Sequence, residues 1–360
     1  MKVVLIGVGQ AGGKLAQAIA EFDYEMDFGA VTGALAVNTA RADLQSLDIE
    51  TQLIGQDRVK GHGVGGDNEL GAEVMDADAD QVMDALDGRI TSQSDAIVLV
   101  GGLGGGTGSG GIPVLARELK TVYDRPVYAL GILPGRDEGS LYQVNAGRSL
   151  KTVLREADST VLIDNDAWRS SDESLQGGFE TINRRVARRI GLLLATGERI
   201  GEETAETVVD ASDLINTLRR GELAAVGYAT CEASEDAGEN INAITSLARN
   251  AVLTGTSLPD AVDAQSALLV VAGEPQRIAR KGVERARKWV EEETGSLDVR
   301  GGDFPMESDK LAAIVVLGGI ERSRRVEEFL DRAREASQQT DSSPADLTES
   351  FQDDRLDDLF

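Results

Sequence analysis

The feature that most constrains the fold is a glycine-rich stretch that directly follows an apolar run. Ala96–Val100 is continuously apolar, and eight of the eleven residues from Gly101 to Gly111 are glycine. Each glycine costs roughly 0.5–1 kcal/mol relative to alanine when its backbone must be ordered. A folded chain therefore keeps such a stretch only where the ordered backbone serves a purpose.

Further apolar runs in the first half of the chain alternate with helical patterns. Continuous apolar runs are typical of strands buried on both faces of a parallel sheet. The predicted strands are Val3–Ile6, Ala34–Val37, Gln52–Ile54, Ala96–Val100, Val127–Leu133 and Thr160–Ile163. Helical patterns between them include Lys14–Glu21, Asp67–Asp87 and Ile112–Tyr123. This alternation predicts a doubly wound α/β domain, which we place at residues 1–176.

The second half of the chain has a different organisation. Apolar residues recur every three or four positions in Gly177–Glu198, which predicts a long helix with one buried face at residues 177–198. Strand-like and helical runs then mix, which predicts a smaller α+β domain at residues 199–320. Residues 321–360 are expected to form a charged helix and a disordered acidic tail.

Composition narrows the class of protein. The chain has 62 acidic residues against 36 lysines and arginines, a net charge of −26. This excess is typical of adaptation to high salt, although a partner that prefers negative charge is an alternative. Binding to nucleic acid is disfavoured because no basic patch is evident. The single cysteine, Cys231, excludes a disulfide framework and is predicted to be a small core residue.

The sequence also bears on location. No apolar run approaches the roughly 20 residues that a membrane span requires. The N-terminus leads directly into a predicted strand and lacks the layout of a signal peptide. We therefore expect a cytoplasmic protein with no direct membrane span.

Several glycine-bearing loops follow predicted strands, but none carries a complete nucleotide fingerprint. Gly7–Gly12 matches G-x-G-x-x-G, yet the second strand ends in Val37-Asn38-Thr39 without the acidic residue of a dinucleotide fold. The lysine-containing P-loop motif is absent. The loops are Gly9–Lys14, Gly61–Asn68, Gly104–Gly110 and Gly131–Gly139. Their backbone N–H groups would meet at one sheet edge, which suits a polyphosphate.

Two of these loops carry a family resemblance. The string GGGTGSG at Gly104–Gly110 resembles the signature of the tubulin and FtsZ superfamily, and GQAGG at Gly9–Gly13 resembles the first phosphate loop of tubulin. The acidic composition, GHGVGGDNELGAE and LIDNDAWR at Leu162–Arg169 are most similar to the CetZ family of salt-loving archaea. The resemblance implies a GTP-binding domain, a central helix and a smaller C-terminal domain.

The resemblance also implies which residues bind the phosphates of GTP, with Mg²⁺ accompanying the nucleotide. The residues implied at the α- and β-phosphates are Gln10, Ala11, Gly12, Gly13 and Lys14. The residues implied at the β- and γ-phosphates are Gly104, Gly105, Gly106, Thr107, Gly108 and Ser109. The loop implied to sense the γ-phosphate contains Gly63, Gly65, Gly66 and Asn68.

Four further residues are implied at the nucleoside. Glu138 matches the acidic residue that contacts ribose, and Asn165 matches the asparagine that reads the guanine edge. Phe179 and Asn183, four apart on one helix face, match a ring that stacks on guanine and an amide that reads it. Two departures from FtsZ stand nearby, since FtsZ has arginine at the position of Tyr142 and aspartate at that of Asn183.

The candidate catalytic residues are Asp210 and Asp213. Their spacing also fits a helix cap. The resemblance implies that both carboxylates orient an attacking water in the nucleotide pocket of the next subunit, which requires head-to-tail assembly. Val208 replaces the asparagine that FtsZ has at this position, and this substitution suggests slow turnover.

The leading hypothesis is a self-assembling, GTP-hydrolysing cytoskeletal protein that controls cell shape. The expected partners are further copies of the chain, and paralogues or a membrane-linked adaptor are further candidates. The tail with Leu356, Leu359 and Phe360 is either a docking peptide for such a partner or a segment without a role. A nucleotide-binding regulator that never polymerises is an alternative. An NAD-dependent dehydrogenase is disfavoured by the missing ribose-binding acid.

Overall fold

The computed structural model describes residues 1–168, 175–196, 209–261 and 263–341. The strands in this part of the chain are β1 (Val3–Val8), β2 (Val31–Asn38), β3 (Glu50–Leu53), β4 (Ala96–Gly102), β5 (Val127–Leu133), β6 (Ser159–Asp164), β7 (Leu223–Glu232), β8 (Ala264–Gly273), β9 (Asp298–Pro305) and β10 (Lys310–Ile320). They form one sheet in the order β3-β2-β1-β4-β5-β6-β7-β10-β8-β9.

Helices cover both faces of this sheet. The first seven are α1 (Gly9–Glu25), α2 (Arg41–Leu44), α3 (Gln56–Val59), α4 (Asn68–Ala77), α5 (Ala79–Leu86), α6 (Gly106–Val122) and α7 (Ser140–Glu156). The others described are α8 (Asn165–Trp168), α9 (Leu175–Ala195), α10 (Ala211–Leu218), α11 (Ile241–Leu253), α12 (Arg280–Thr294) and α13 (Arg324–Asp341). A 3₁₀ turn at Pro275–Arg277 precedes α12.

The predicted doubly wound parallel sheet is confirmed. Strands β1 to β6 pair in parallel, and β1 and β5 are buried along their whole length. Successive side chains of a strand point to opposite faces. Val4 and Ile6 accordingly join one apolar core, while Val3 and Leu5 join the other. Helices on both faces complete the two cores. Because β1 to β6 are parallel, their carboxyl ends lie along one edge of the sheet.

The strands of the second half extend the same sheet. Strand β7 joins β6 in parallel at Thr160 and Val161, and then pairs antiparallel with β10. Strand β10 pairs antiparallel with β8, and β8 pairs in parallel with β9. The mixed pairing and the helices α11 and α12 agree with the predicted α+β character. Our domain boundaries remain predictions. Val208 and the tail residues 342–360 lie outside the described part of the chain.

Some elements differ from the sequence-based prediction. The glycine-rich segments are the first turns of α1 and α6 rather than loops, since these helices begin at Gly9 and Gly106. Strand β9 was missed because Gly301 and Gly302 interrupt its apolar pattern. Helix α9 begins at Leu175, two residues before the predicted start.

Candidate functional site

A cavity of about 900 Å³ lies at the carboxyl edge of the parallel strands. Its walls come from the segments that follow β1, β2, β4, β5 and β6, and from α9. The sequence-predicted residues that line it are Gln10, Ala11, Lys14, Gly63, Gly65, Gly66, Gly104, Gly105, Gly106, Thr107, Gly108, Glu138, Asn165 and Asn183. Residues distant in the chain are therefore brought together as the parallel topology requires.

Two helix N-termini meet at one end of this cavity. The N-caps of α1 and α6 are Val8 and Gly105, and neither makes a side-chain capping hydrogen bond. The first N–H groups of a helix lack partners within the helix and carry a partial positive charge. This end of the cavity is thus built to receive an anion, and we call it the phosphate end.

Close backbone packing explains the glycines at the phosphate end. A Cβ added at Gly12 would lie 2.1 Å from the carbonyl oxygen of Val100. A Cβ added at Gly108 would lie 2.7 Å from the carbonyl oxygen of Gly102. Gly9 has φ of +75°, a conformation that favours glycine. Glycine therefore lets the first turns of α1 and α6 approach β4 and each other.

Four predicted phosphate residues lie beside the cavity without lining it. Gly12 and Gly13 are buried in α1, where Gly13 faces the side chain of Leu47. The Ser109 hydroxyl donates to the carbonyl oxygen of Gly106 at 3.3 Å, inside the first turn of α6. Asn68 begins α4, and two N–H groups of its first turn, those of Glu69 and Leu70, already donate to the Asp67 carboxylate. Their roles remain predictions, and the geometry indicates packing.

Polar side chains that the sequence analysis missed complete the phosphate end. The carboxylate of Asp43 accepts from the side-chain amides of Gln10 (3.1 Å) and Asn38 (3.0 Å), and both Asp43 and Asn38 line the cavity. The hydroxyls of Thr39 and Thr107 are 2.7 Å apart and buried. Asn38 is the last residue of β2, Thr39 follows it and Asp43 lies in α2, and this position at the end of a parallel strand is the signal that could have identified them. His62 also lines the cavity, with its ring Nδ1 3.2 Å from the carbonyl oxygen of Val59.

The opposite end of the cavity, which we call the nucleoside end, is formed by side chains. Glu138, Asn165 and Asn183 line it, whereas Tyr142 lines the cavity beside Gly104, where an added Cβ would lie 3.2 Å from the Tyr142 Cβ. Glu138 accepts from the N–H of Gly135 at 2.7 Å. Asn165 is 6% exposed and immediately follows β6. The side chain of Phe179 lies outside the described part of the structure, so its stacking role stays a prediction.

Two buried amides on α7 brace the walls of the cavity, and sequence reasoning missed both. Asn145 donates to the carbonyl oxygens of Gly66 (2.7 Å) and Gly104 (3.1 Å), and so ties two glycine segments together. Gln143 donates to the carbonyl oxygen of Gly135 at 2.6 Å. No local pattern could reveal these roles, because the segments that Asn145 joins are 79 and 41 residues away in the chain.

The two candidate catalytic aspartates do not line the cavity. Asp210 and Asp213 form a reciprocal capping box at the start of α10, with the N–H of Asp213 3.0 Å from Asp210 Oδ1. Asp213 also lies 3.2 Å from the guanidinium of Arg300, which pairs with Asp298. The hydrogen bond with Asp298 is the main cause that raises the pKa of Arg300. The structure thus shows the helix cap that the spacing predicted, and the catalytic role of both aspartates stays a prediction.

Within the described residues, no cluster of three or more histidine, cysteine, aspartate or glutamate side chains could hold a metal ion. None of the helices described is both long and apolar enough to span a bilayer.

Comparison with known proteins identifies the family. Residues 2–172 match the GTPase domain of the tubulin/FtsZ family, and residues 172–335 match the C-terminal domain of tubulin-like CetZ. The tubulin-like protein CetZ2 of Haloferax volcanii is 65% identical over 360 residues, which covers all of both chains. The chain belongs to the tubulin-like CetZ family.

Solved CetZ structures have the same fold. The GTPγS-bound protofilament of Haloferax volcanii CetZ2 matches with a TM-score of 0.91, covering 95% of this chain and 100% of that one at 65% identity. The GDP-bound monomer of CetZ1 from the same organism matches with a TM-score of 0.86, covering 94% and 100% at 48% identity. The predicted fold class and family resemblance are therefore confirmed.

Proposed function

We propose that this CetZ-family chain binds GTP in the cavity, assembles head to tail, and hydrolyses GTP between successive subunits. The observation that carries the proposal is the meeting of two uncapped helix N-termini, α1 and α6, at one end of a cavity whose other end presents amide and carboxylate side chains. A nucleotide has this same polarity, with anionic phosphates at one end and a hydrogen-bonding base at the other.

The proposed residue roles follow this polarity. The amides of the first turns of α1 and α6 bind the phosphates, together with Gln10, Lys14 and Thr107. Glu138 accepts a hydrogen bond from a ribose hydroxyl. Asn165 and Asn183 read the guanine edge, and Phe179 stacks on its face. Gly12, Gly13 and Ser109 act indirectly, because they allow or brace the close packing of the two helix starts.

A divalent cation fits the phosphate end. The carboxylate of Asp43 and the hydroxyl of Thr107 line the cavity, and oxygen atoms of this kind suit Mg²⁺, which commonly retains several waters and binds substrate phosphates. The ion would neutralise charge on the β- and γ-phosphates. We propose GTP or GDP with Mg²⁺ as the ligand set.

Self-assembly would complete the active site. Asp210 and Asp213 stand outside their own cavity, so these carboxylates act only if they enter the cavity of a neighbouring subunit. There they would orient and polarise the attacking water. The GTPγS-bound protofilament of CetZ2 from Haloferax volcanii supports self-assembly. We propose a heterologous head-to-tail contact, because such a contact propagates into a filament. We further propose a cytoplasmic role in cell shape, with the tail as a docking segment for a partner.

The test is GTP hydrolysis per subunit as a function of protein concentration, in molar KCl with Mg²⁺. We expect the rate per subunit to rise with concentration, because the site is shared. Asp213→Ala should lower the rate at least about 100-fold while GTP binding is retained. Asp298→Asn is the matched control, since it alters the same arginine cluster without removing a carboxylate proposed to be catalytic, and it should retain turnover.

Other outcomes would contradict parts of the proposal. A rate per subunit that does not depend on concentration would place the whole active site within one chain and exclude the roles of Asp210 and Asp213. Tight GTP binding without turnover or sedimentation would indicate a regulator that does not polymerise.

A further inference from the structure

A buried ion pair joins the C-terminal helix to the nucleoside end of the cavity. The guanidinium of Arg325, in the first turn of α13, donates from Nε and Nη2 to the two carboxylate oxygens of Asp164. The side chains of Arg325 and Asp164 are only 7% and 2% exposed. Two-point pairing of this kind fixes orientation as well as distance. The hydrogen bond with Asp164 is the main cause that raises the pKa of Arg325.

The same guanidinium reaches a second carboxylate on the other side of Asn165. Nη2 of Arg325 donates to Asp166 at 2.6 Å, and the N–H of Asp166 donates to Asp164 at 3.1 Å. Asn165, the proposed reader of guanine, therefore stands between two residues that Arg325 holds. A turn that is fixed on both sides leaves the Asn165 backbone little freedom.

The network continues to the ribose side of the cavity. The carboxylate of Asp166 accepts from the N–H of Arg136 at 3.0 and 3.1 Å, and the Arg136 side chain also lies within 3.4 Å of it. Arg136 immediately precedes Asp137 and Glu138, which line the cavity. One arginine of α13 is thus linked, through Asp166, to both segments that form the nucleoside end.

Packing between α13 and α7 supports the same connection. A Cβ added at Gly147 would lie 2.6 Å from the Cβ of Ala333, so α7 and α13 approach as closely as glycine allows. Helix α7 begins at Ser140, directly after the ribose segment, and carries Tyr142 into the cavity wall. Helix α13 is therefore fixed against the nucleoside end by packing as well as by charge.

We propose that Arg325 is a positioning residue for the nucleoside end, which sets guanine selectivity from the C-terminal helix without touching the nucleotide. Burying the Arg325 guanidinium with the Asp164 carboxylate is not an efficient way to gain stability, because desolvation offsets much of the attraction. Its benefit here is conformational: Arg325 holds Asn165 and the Glu138 segment in one relative geometry. This inference rests on the proposed function and names a determinant of its base selectivity.

The test compares Arg325→Gln with Arg324→Gln, its neighbour on the same helix, whose partners Asp260 and Glu328 are both exposed. The measured quantities are the dissociation constants of GDP and IDP, since hypoxanthine lacks the 2-amino group of guanine. We expect Arg325→Gln to weaken GDP binding about tenfold and to bring the IDP/GDP ratio close to one, as when a hydrogen-bonding site loses its geometry. Arg324→Gln should change neither quantity.

Two further variants separate positioning from folding, with thermal melting as the check on the native state. Asp166→Asn keeps the Arg325–Asp164 pair and weakens the link to Arg136, and it should also lower the selectivity ratio. Arg325→Lys keeps the charge but cannot make the two-point contact. The logarithm of its IDP/GDP ratio should therefore recover less than half of the decrease seen in Arg325→Gln. An unchanged ratio in folded Arg325→Gln would overturn the inference.

If Arg325→Gln does not fold, Asp166→Asn decides, and an unchanged IDP/GDP ratio in that variant overturns the inference. Failure of the proposed function has a different signature. In that case the wild-type chain itself would bind no guanine nucleotide, whatever the state of Arg325.

Discussion

The two ends of the cavity differ in whether the backbone or the side chains form the binding surface. The phosphate end is formed by the backbone of two helix starts, and glycines allow separations that a single Cβ would prevent, as at Gly12 and Gly108. The nucleoside end is formed by side chains that a charged network connects to α13, far along the chain. The phosphate end depends on close backbone packing that only glycine permits, whereas the nucleoside end depends on specific contacts between side chains.

The two ends should respond differently to substitution. Backbone packing at the phosphate end leaves no room for adjustment, so a substitution there should damage folding and binding together. Hydrogen bonds at the nucleoside end can be lost singly, so a substitution there should alter selectivity before stability. Variants at matched positions can separate these two behaviours.

The largest expected effect comes from Gly12→Ala. The added Cβ would meet the Val100 carbonyl oxygen at 2.1 Å, and because its nearest neighbours are backbone atoms of β4, no rotamer change can relieve the contact. We expect a loss of about 1–3 kcal/mol in the free energy of unfolding, as for other overpacked sites. GDP affinity should fall at least about 100-fold, because the N-terminus of α1 must move. Denaturant unfolding and nucleotide titration measure the two effects.

Gly105→Ala is the matched control for this prediction. A Cβ at Gly105 meets nothing within 4 Å, and its φ of −76° suits alanine. Its free energy of unfolding should stay within about 0.5 kcal/mol of wild type. If Gly12→Ala proved equally stable, close packing would not explain the glycine at that position.

The phosphate end could be predicted largely from the sequence. Apolar runs followed by glycine located β1 and β4, and the parallel topology brought their carboxyl ends to one edge. The helical start at Gly106 was missed, because glycine is a poor helix former and the string GGGTGSG has no apolar period. Packing against β4, which local propensity does not report, decides the conformation there.

The nucleoside end could be predicted only in part. Asn165 and Glu138 were identified by resemblance, but Arg325 was not, and neither was Asn145, which ties two glycine segments of the cavity wall together. Both act over long sequence separations, since Arg325 is 161 residues from Asp164. No periodicity or motif encodes such a pair, and only the folded sheet brings α13 beside β6.

A smaller effect is expected from Glu138→Gln. We propose that the Glu138 carboxylate accepts a hydrogen bond from a ribose hydroxyl, and such a charge-assisted hydrogen bond is worth about 1.5–3 kcal/mol. The neutral amide of glutamine would weaken this hydrogen bond. We expect GDP affinity to fall about tenfold and discrimination against 2′-deoxy-GDP to shrink by a similar factor. Melting temperature should change little, since the amide oxygen can still accept from the N–H of Gly135. Equal losses for GDP and 2′-deoxy-GDP would exclude a contact with the 2′-hydroxyl.

The smallest effect concerns a carboxylate away from both ends of the cavity. Burial alone would raise the pKa of Asp298, but hydrogen bonds from Arg220 and Arg300 outweigh it and lower the pKa below its ordinary value. A lowered folded-state pKa stabilises the protein above the unfolded value of about 3.9, and the stabilisation is lost as the pH falls through the folded value. The free energy of unfolding of wild type should therefore exceed that of Asp298→Asn by a constant amount from pH 7 to about pH 5. The difference should shrink as the pH falls below about 4, whereas a constant difference down to pH 2.5 would mean that Asp298 is not held ionised by the arginines. GDP affinity at pH 7 should be the same in both proteins, because Asp298 does not line the cavity.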